Sequence, residues 1–215
     1  MSDFDRLKTR QRAIRDGFPS DFGLRIHRAI SWLGRAERET EDPDAAFLFY
    51  WIAFNAAYAA EQDLAGEKDL FRSYLQKVVA LDHSHRIYDA VWTGFPGPIR
   101  MFLQNRFVFG PFWHHFNGIE GFDDWQDRFA TSKRRFAEAL KARDTLTILS
   151  MLFDRLYVLR NQLIHGGATW NSGVNRDQMR DGTAILAFLV PVFIDLMMDA
   201  PEQDWGAPFY PVVQA

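Results

Sequence analysis

The sequence contains no cysteine. Disulfide frameworks, thiolate metal sites and cysteine nucleophiles are therefore excluded, and a reducing compartment suits such a chain. No stretch alternates apolar and polar residues in the manner of a half-buried strand. No glycine loop ends in Gly-Lys-Ser/Thr, no dinucleotide fingerprint follows a strand, and no HExxH, EF-hand or Gly-x-Ser-x-Gly segment occurs. The longest apolar run, Ala184 to Met198, is interrupted by Pro191 and Asp195. It falls short of the roughly 18 clean apolar residues that a membrane span needs and reads as a buried helix. Charge of one sign is also scarce: 25 Lys and Arg face 28 Asp and Glu, for a net charge of −3. A globally basic nucleic-acid binder is excluded, whereas a local basic face is not. The opening residues, Met1-Ser2-Asp3-Phe4-Asp5, lack the basic and apolar regions of a signal peptide. A cytoplasmic protein without membrane contact is expected.

What is present favours an all-α fold. The chain has 215 residues, 47% of them hydrophobic, with 20 Phe and 7 Trp. That length favours one domain over 1–215, with a core rich in aromatic area. Helical spacing of apolar residues runs through most of the chain. A first helix is expected from about Asp3 to Asp16, stopping at Gly17. A second is capped by Ser20 or Asp21. A third, AAFLFYWIAFNAAYAAE, has Asp42 as cap and Pro43 in its first turn. It is apolar nearly all round, as a helix at the centre of a bundle would be. A fourth covers about Glu67 to Leu81. Between His83 and Gly121, the residues Gly94, Pro96, Gly97, Pro98, Gly110 and Pro111 break the pattern into an aromatic-rich insert of short helices and turns. A fifth helix starts near Asp123, a sixth runs from about Asp144 to His165 and stops at Gly166-Gly167, and a seventh spans about Asn175 to Asp199, kinked at Pro191. An irregular tail over about 200–215 is expected to pack its aromatics onto the body.

Two histidine pairs, His83-Ser84-His85 and His114-His115, invite a metal reading. Neither has a helix-spaced third ligand or a nearby carboxylate, so no metal and no cofactor is expected, and the rings are read as partly buried among aromatics. The informative segment is Tyr157-Val158-Leu159-Arg160-Asn161-Gln162-Leu163-Ile164-His165-Gly166-Gly167. It places an Arg, a polar residue and a His at the end of a helix. At about 100° per residue, Asn161 and His165 share a face with Asp154 and Val158, while Arg160 lies about 140° from His165 amid apolar residues. Arg160 then either reaches round toward a cleft or pairs with an acid on another helix. His165 either faces a substrate or caps the helix end, and Asn161 either joins a site or bridges helices. Asn55, alone in an apolar helix, reads as a structural bridge.

The Arg-Asn-(x3)-His run resembles the Arg-x4–6-His signature of the HEPN superfamily. The helix Phe47-Leu48-Phe49-Tyr50-Trp51-Ile52-Ala53-Phe54-Asn55-Ala56-Ala57-Tyr58 is similar to the early core helix of Apea-like HEPN proteins. The resemblance implies a four-helix core with additional helices. It also implies a homodimer whose paired motif helices form a composite cleft, and a metal-independent endoribonuclease with Arg160, Asn161 and His165 as its catalytic residues. Toxin or antiphage roles, and restraint by an antitoxin or sensor protein, belong to the same resemblance. Many members keep the fold only for dimerisation or for binding RNA, nucleotides or proteins.

The residues suit RNA chemistry. RNA supplies its own nucleophile, the ribose 2′-hydroxyl, so neither a cysteine nor a metal is required. Imidazole serves as general acid or base near neutrality, and arginine offers paired donors to phosphate oxygens. One histidine of a dimer acting as acid and its mate as base is one arrangement that meets these needs. Lys133, Arg134 and Arg135 offer contacts to a phosphate backbone, with a solvated helix face as the plainer account. Trp170 and Asn171 offer stacking and hydrogen bonding to a base, with loop packing as the alternative.

Overall fold

The computed structural model describes residues 1–59, 67–208 and 210–211. Among these every regular element is helical and no strand occurs, as the apolar spacing predicts. The helices are α1 (Asp3–Ile14), α2 (Ser20–Ala36), α3 (Pro43–Tyr58), α4 (Glu67–Leu81), α5 (Arg86–Asp89), α6 (Pro96–Gln104), α7 (Gly110–Phe116), α8 (Trp125–Ala142), α9 (Thr145–Ile164) and α10 (Arg176–Asp199). The chain divides into two compact units, one of residues 1–86 with 179–215 and one of residues 87–178.

The first unit is built on α1–α4 and most of α10. Asp42 caps α3 as its sequence predicts, accepting from the backbone N–H groups of Asp44 and Ala45, both at 3.0 Å. Ala60 and Glu61, which the periodicity adds to this helix, lie outside the described residues. Ser20 is not a cap, because it is already the first helical residue and Pro19 precedes it without a side-chain bond. Phe54 of α3 centres the aromatic core, with its ring 5.4 Å from Trp51, 5.8 Å from Tyr74 and 6.2 Å from Phe193. The Asn55 side chain does not bridge through its oxygen, since buried Oδ1 has no hydrogen-bond partner among the described residues. Helix α10 runs through Pro191, and nearly all of Leu189–Met198 is buried. By length and composition Gly173–Asp199 is apolar enough to cross a membrane, and 72% of its apolar window is buried inside the protein. In the tail, Trp205 is buried and its Nε1 donates to the Ala200 carbonyl at 2.9 Å. Tyr210 is exposed, and Phe209 and residues 212–215 lie outside the described residues.

Two buried charges of this unit, Arg25 and Asp195, each have several partners. Arg25, 1% exposed, donates to the carbonyls of Ala57 (2.9 Å) and Ala59 (2.7 Å) at the end of α3 and to that of Gly206 (3.0 Å). It thus satisfies carbonyls that a helix terminus leaves without intrahelical donors. Asp195, its side chain 10% exposed, accepts from Arg6 (3.0 Å), Arg86 (2.7 Å) and Arg10. Burial alone would push this carboxyl up. The hydrogen bonds from Arg86 and Arg10, the Arg10 charge and the Arg6 bond outweigh it and hold the group below the ordinary carboxylate range. A carboxyl depressed on folding stabilises the native state above its unfolded value and loses that contribution as pH falls through its folded value. Asp195→Asn is expected to cost about 3 kcal/mol at neutral pH by taking this carboxylate from three arginines, of which Arg6 and Arg10 keep Asp3 and Asp199. Denaturant unfolding of both proteins checks this, and the gap between them should close as the pH is lowered through the acid range.

The second unit is the antiparallel pair α8 and α9 with the short helices α6 and α7 against it. Residues 83–121 are broken into short helical pieces as the Gly and Pro spacing predicts, including a wide helical turn over Ala90–Gly94. Leu152, Phe153, Leu156 and Leu159 of α9 are fully buried. Asp144 caps α9, accepting from the Thr147 N–H at 2.9 Å and the Thr147 hydroxyl at 2.6 Å. His83, His85 and His114 are exposed and His115 is half-buried, so most of these rings are more solvated than their aromatic sequence surroundings suggest.

Candidate functional site

Helix α9 ends where the sequence stops it. Gly166 takes φ +68°, a conformation that favours glycine. Its N–H donates to the Leu163 carbonyl at 3.2 Å, and the Ala168 N–H donates to that of Gln162 at 3.1 Å. A Cβ at Gly167 would sit 3.3 Å from the Gln162 carbonyl oxygen, so the second glycine lets the chain turn close against the helix end. This turn leaves the last exposed face of α9 uncovered.

That face walls a cavity of about 330 Å³. One side is Val158, Asn161, Gln162, His165 and Gly167; the other is Gly110, Trp113, His114 and Asn117, from α7 and the turn after it. A single carbonyl ties the two sides together. Phe107 O accepts from Gln162 Nε2 at 2.6 Å and from Trp113 Nε1 at 2.7 Å. Behind the wall, Phe112 packs edge-on against Trp125 with ring centroids 5.0 Å apart.

Asn161 and His165 line this cavity together, as their four-residue spacing implies. His165 is exposed and its imidazole makes no hydrogen bond among the described residues. Its backbone N–H, by contrast, donates to Asn161 O at 3.0 Å, so the residue caps the helix through its main chain and keeps its ring free. Arg160 does not line the cavity. Its side chain reaches sideways so that Nη1 donates to Asn161 Oδ1 at 2.8 Å, with the guanidinium 5.8 Å from the Tyr157 ring centroid. No acid pairs with Arg160 among the described residues, and its buried Nε is without a hydrogen-bond partner there. The arginine therefore fixes the Asn161 amide with its oxygen inward, which leaves Nδ2 as a donor.

Lys133 and Arg134 are exposed. Lys133 lies 4.8 Å from the Phe129 ring centroid, and Arg134 donates to Thr131 Oγ1 at 2.8 Å. Trp170 and Asn171 are exposed in the loop after α9, and none of these four residues lines the cavity. His114, Gln162, Trp113 and Asn117 are the wall residues that the motif alone misses. The signal for His114 lay in the His114-His115 pair, read only against metal geometry, and Gln162 lies inside the motif itself. Among the described residues no three His, Asp or Glu side chains are grouped as a metal site would need.

Chemically, the cavity offers two imidazoles, the amides of Asn161, Asn117 and Gln162, and an indole wall. Such a set suits a ligand with an aromatic ring and an anionic or hydroxyl-bearing group. Comparison with protein-family models, curated proteins and solved structures found no match to this chain.

Because Arg160 has no carboxylate partner, Arg160→Met should leave stability within about 1 kcal/mol of the parent. Thermal or denaturant unfolding tests this. A loss in the several-kcal/mol range of a broken buried ion pair would restore the paired-acid account of this residue.

Proposed function

We propose that this chain is a HEPN-like helical protein that cleaves RNA without a metal, at the cavity formed by α7 and the end of α9. The observation that carries the proposal is the convergence of His165 and Asn161 with a second imidazole, His114, on one cavity, with Arg160 bonded to the amide of Asn161. The likeness of the RNQLIHG run and of the FYWIAFNAAY helix to HEPN proteins supports the same reading, as does the all-helical architecture.

In this reading one imidazole removes the proton from a ribose 2′-hydroxyl. The 2′-oxygen attacks the adjacent phosphorus, and the bond from phosphorus to the 5′-oxygen breaks. A protonated imidazole delivers its proton to that leaving oxygen. The products are a 2′,3′-cyclic phosphate and a 5′-hydroxyl, with no co-reactant. Asn161 Nδ2 donates to the phosphoryl oxygen, and Trp113 offers a face on which an unstacked base rests. Arg160 adds positive charge near the phosphate and holds the amide in its donating orientation. The acid–base pair is either His114 with His165 of the same chain or the His165 side chains of two copies in a homodimer, the arrangement that the HEPN resemblance implies. A role as toxin or defence effector, held in check by an antitoxin or sensor in the cytoplasm, belongs to the same proposal.

A non-catalytic module for binding RNA or protein is the second reading. It is favoured by the exposed apolar side chains of Ile164, Trp170 and Val174 at and beyond the end of α9.

The test is incubation of a labelled single-stranded RNA pool with the full chain in excess chelator. Cleavage is expected to persist, and His165→Ala should slow it by about 10²–10⁴-fold, the range of a lost general acid or base. A loss of similar size in His114→Ala assigns the pair to one chain, whereas full activity in that variant assigns it to two copies. Parent and His165→Ala that leave the RNA equally intact would eliminate the enzymatic reading and leave the module.

A further inference from the structure

A second cavity in the same unit, of about 270 Å³, is lined from α8 and α9 by residues that include Arg128, Ser132, Arg135, Asp154 and Arg155, with Phe109 at its edge. Arg155 is 4% exposed, a position in which a cation is normally matched by a carboxylate. Here it has none within ion-pair distance among the described residues. Its guanidinium lies 4.4 Å from the Phe109 ring centroid, and Nη2 donates to Ser132 Oγ at 2.9 Å. Buried Nε has no hydrogen-bond partner among the described residues.

The surroundings explain why this cation remains short of acceptors. Asp154, next in sequence, lends a favourable charge but no bond. Burial outweighs that charge and pulls the Arg155 guanidinium down to about 10, so it is still protonated at neutral pH. Arg128 is engaged elsewhere, bonded to Asp124 at 2.7 Å and to the Gly121 carbonyl at 2.9 Å. Arg135 is exposed and has no bonded partner among the described residues. Ser132 accepts from Arg155, and its own hydroxyl hydrogen has no acceptor there either. Donors without acceptors thus stand on two facing helices: Ser132 and Arg135 on α8, Arg155 on α9.

We propose that this cavity is a phosphate-binding site, in which the oxyanion bridges Arg155 and Ser132 at the base to Arg135 at the rim. A planar carboxylate can be saturated by one guanidinium fork. A tetrahedral phosphate presents oxygens to donors on both walls at once. The phosphate belongs either to an RNA strand or to a small phosphate ester, and the chemistry is the same. The site is separate from the His165 cavity and does not depend on catalysis there.

Titration calorimetry of the full chain in chloride buffer with inorganic phosphate is the primary test, with Arg135→Ala and Ser132→Ala as variants. Arg135 is exposed, so folding of Arg135→Ala is expected to survive; Ser132→Ala removes the acceptor of Arg155 and is first checked for folding by thermal unfolding; Arg155→Lys is the third variant and retains the buried charge without the fork. Saturable phosphate binding is expected, weakened about tenfold in Arg135→Ala and in Arg155→Lys, the effect of one charge-assisted bond. Competition by a short single-stranded RNA assigns the phosphate to a strand. Competition by a mononucleotide alone assigns it to a small ester. Absence of binding, or equal binding by the parent, Arg135→Ala and Ser132→Ala, would overturn the site. Because this readout needs no cleavage, it stands apart from the loss of activity expected in His165→Ala.

Discussion

Guanidinium groups taken out of water are the constraint around which both units are organised. A cation leaving water needs counter-charge, hydrogen-bond acceptors or an aromatic face. The first unit meets this need with a carboxylate and with backbone carbonyls, although the buried Nε atoms of Arg25 and Arg86 have no hydrogen-bond partner among the described residues. Arg6, Arg10 and Arg86 converge on Asp195, and Arg25 spends its two terminal nitrogens on three carbonyls. The second unit meets it with neutral acceptors and aromatic faces instead. Arg155 and Arg160 each have one neutral acceptor, Ser132 and Asn161, and one ring, Phe109 and Tyr157. The same residue type therefore acts as a structural fastener in one unit and as a reserve of donors in the other.

Helix α9 is what places those donors. Its apolar stripe of Leu152, Phe153, Leu156 and Leu159 is fully buried, which fixes the rotation of the helix about its own axis. With the rotation fixed, Val158, Asn161 and His165 fall on the cavity shared with α7, while Met151, Asp154 and Arg155 fall on the cavity shared with α8. Val158, Asn161 and His165 follow one another at three and four residues, and Asp154 and Arg155 lie three and four residues beyond Met151, so each set stays on one side of the helix at about 100° per residue. Packing energy is spent on one face, and the polar stripes follow from it without further instruction.

Much of this was legible in the residues. The Asp42-Pro43 start of α3, the Asp144 start of α9 and its stop at Gly166-Gly167 each rest on local chemistry: a side-chain oxygen accepting backbone N–H groups, a ring that fixes φ, a residue tolerant of positive φ. The shared face of Asn161 and His165 followed from helix geometry alone. What failed depended on distant partners. An Asn in an apolar helix suggests a bridge, yet its oxygen, Asn55 Oδ1, has no hydrogen-bond partner among the described residues. An Arg on the apolar side suggests an acid opposite, yet Arg160 turns to the residue next to it. Arg155 carries no motif and drew no attention, because nothing local distinguishes a buried arginine from a solvated one. Lys133, Arg134 and Arg135 stand out in the sequence as a charge cluster, but the cluster does not say that Arg135 is the one that lines the cavity.

The sequence by itself determined the class of the fold, the ends of most helices and the face shared by Asn161 and His165. All of these are decided within one or two helical turns, over which sequence spacing is spatial spacing. The tertiary structure alone decided that His114 joins His165, that one carbonyl at Phe107 clamps both walls, and that buried Arg155 has no carboxylate within ion-pair distance among the described residues. Most of these relations join residues from about 20 to 55 positions apart. Which such residues meet is set by how whole helices pack, and packing depends on volumes and rotations that no local pattern encodes.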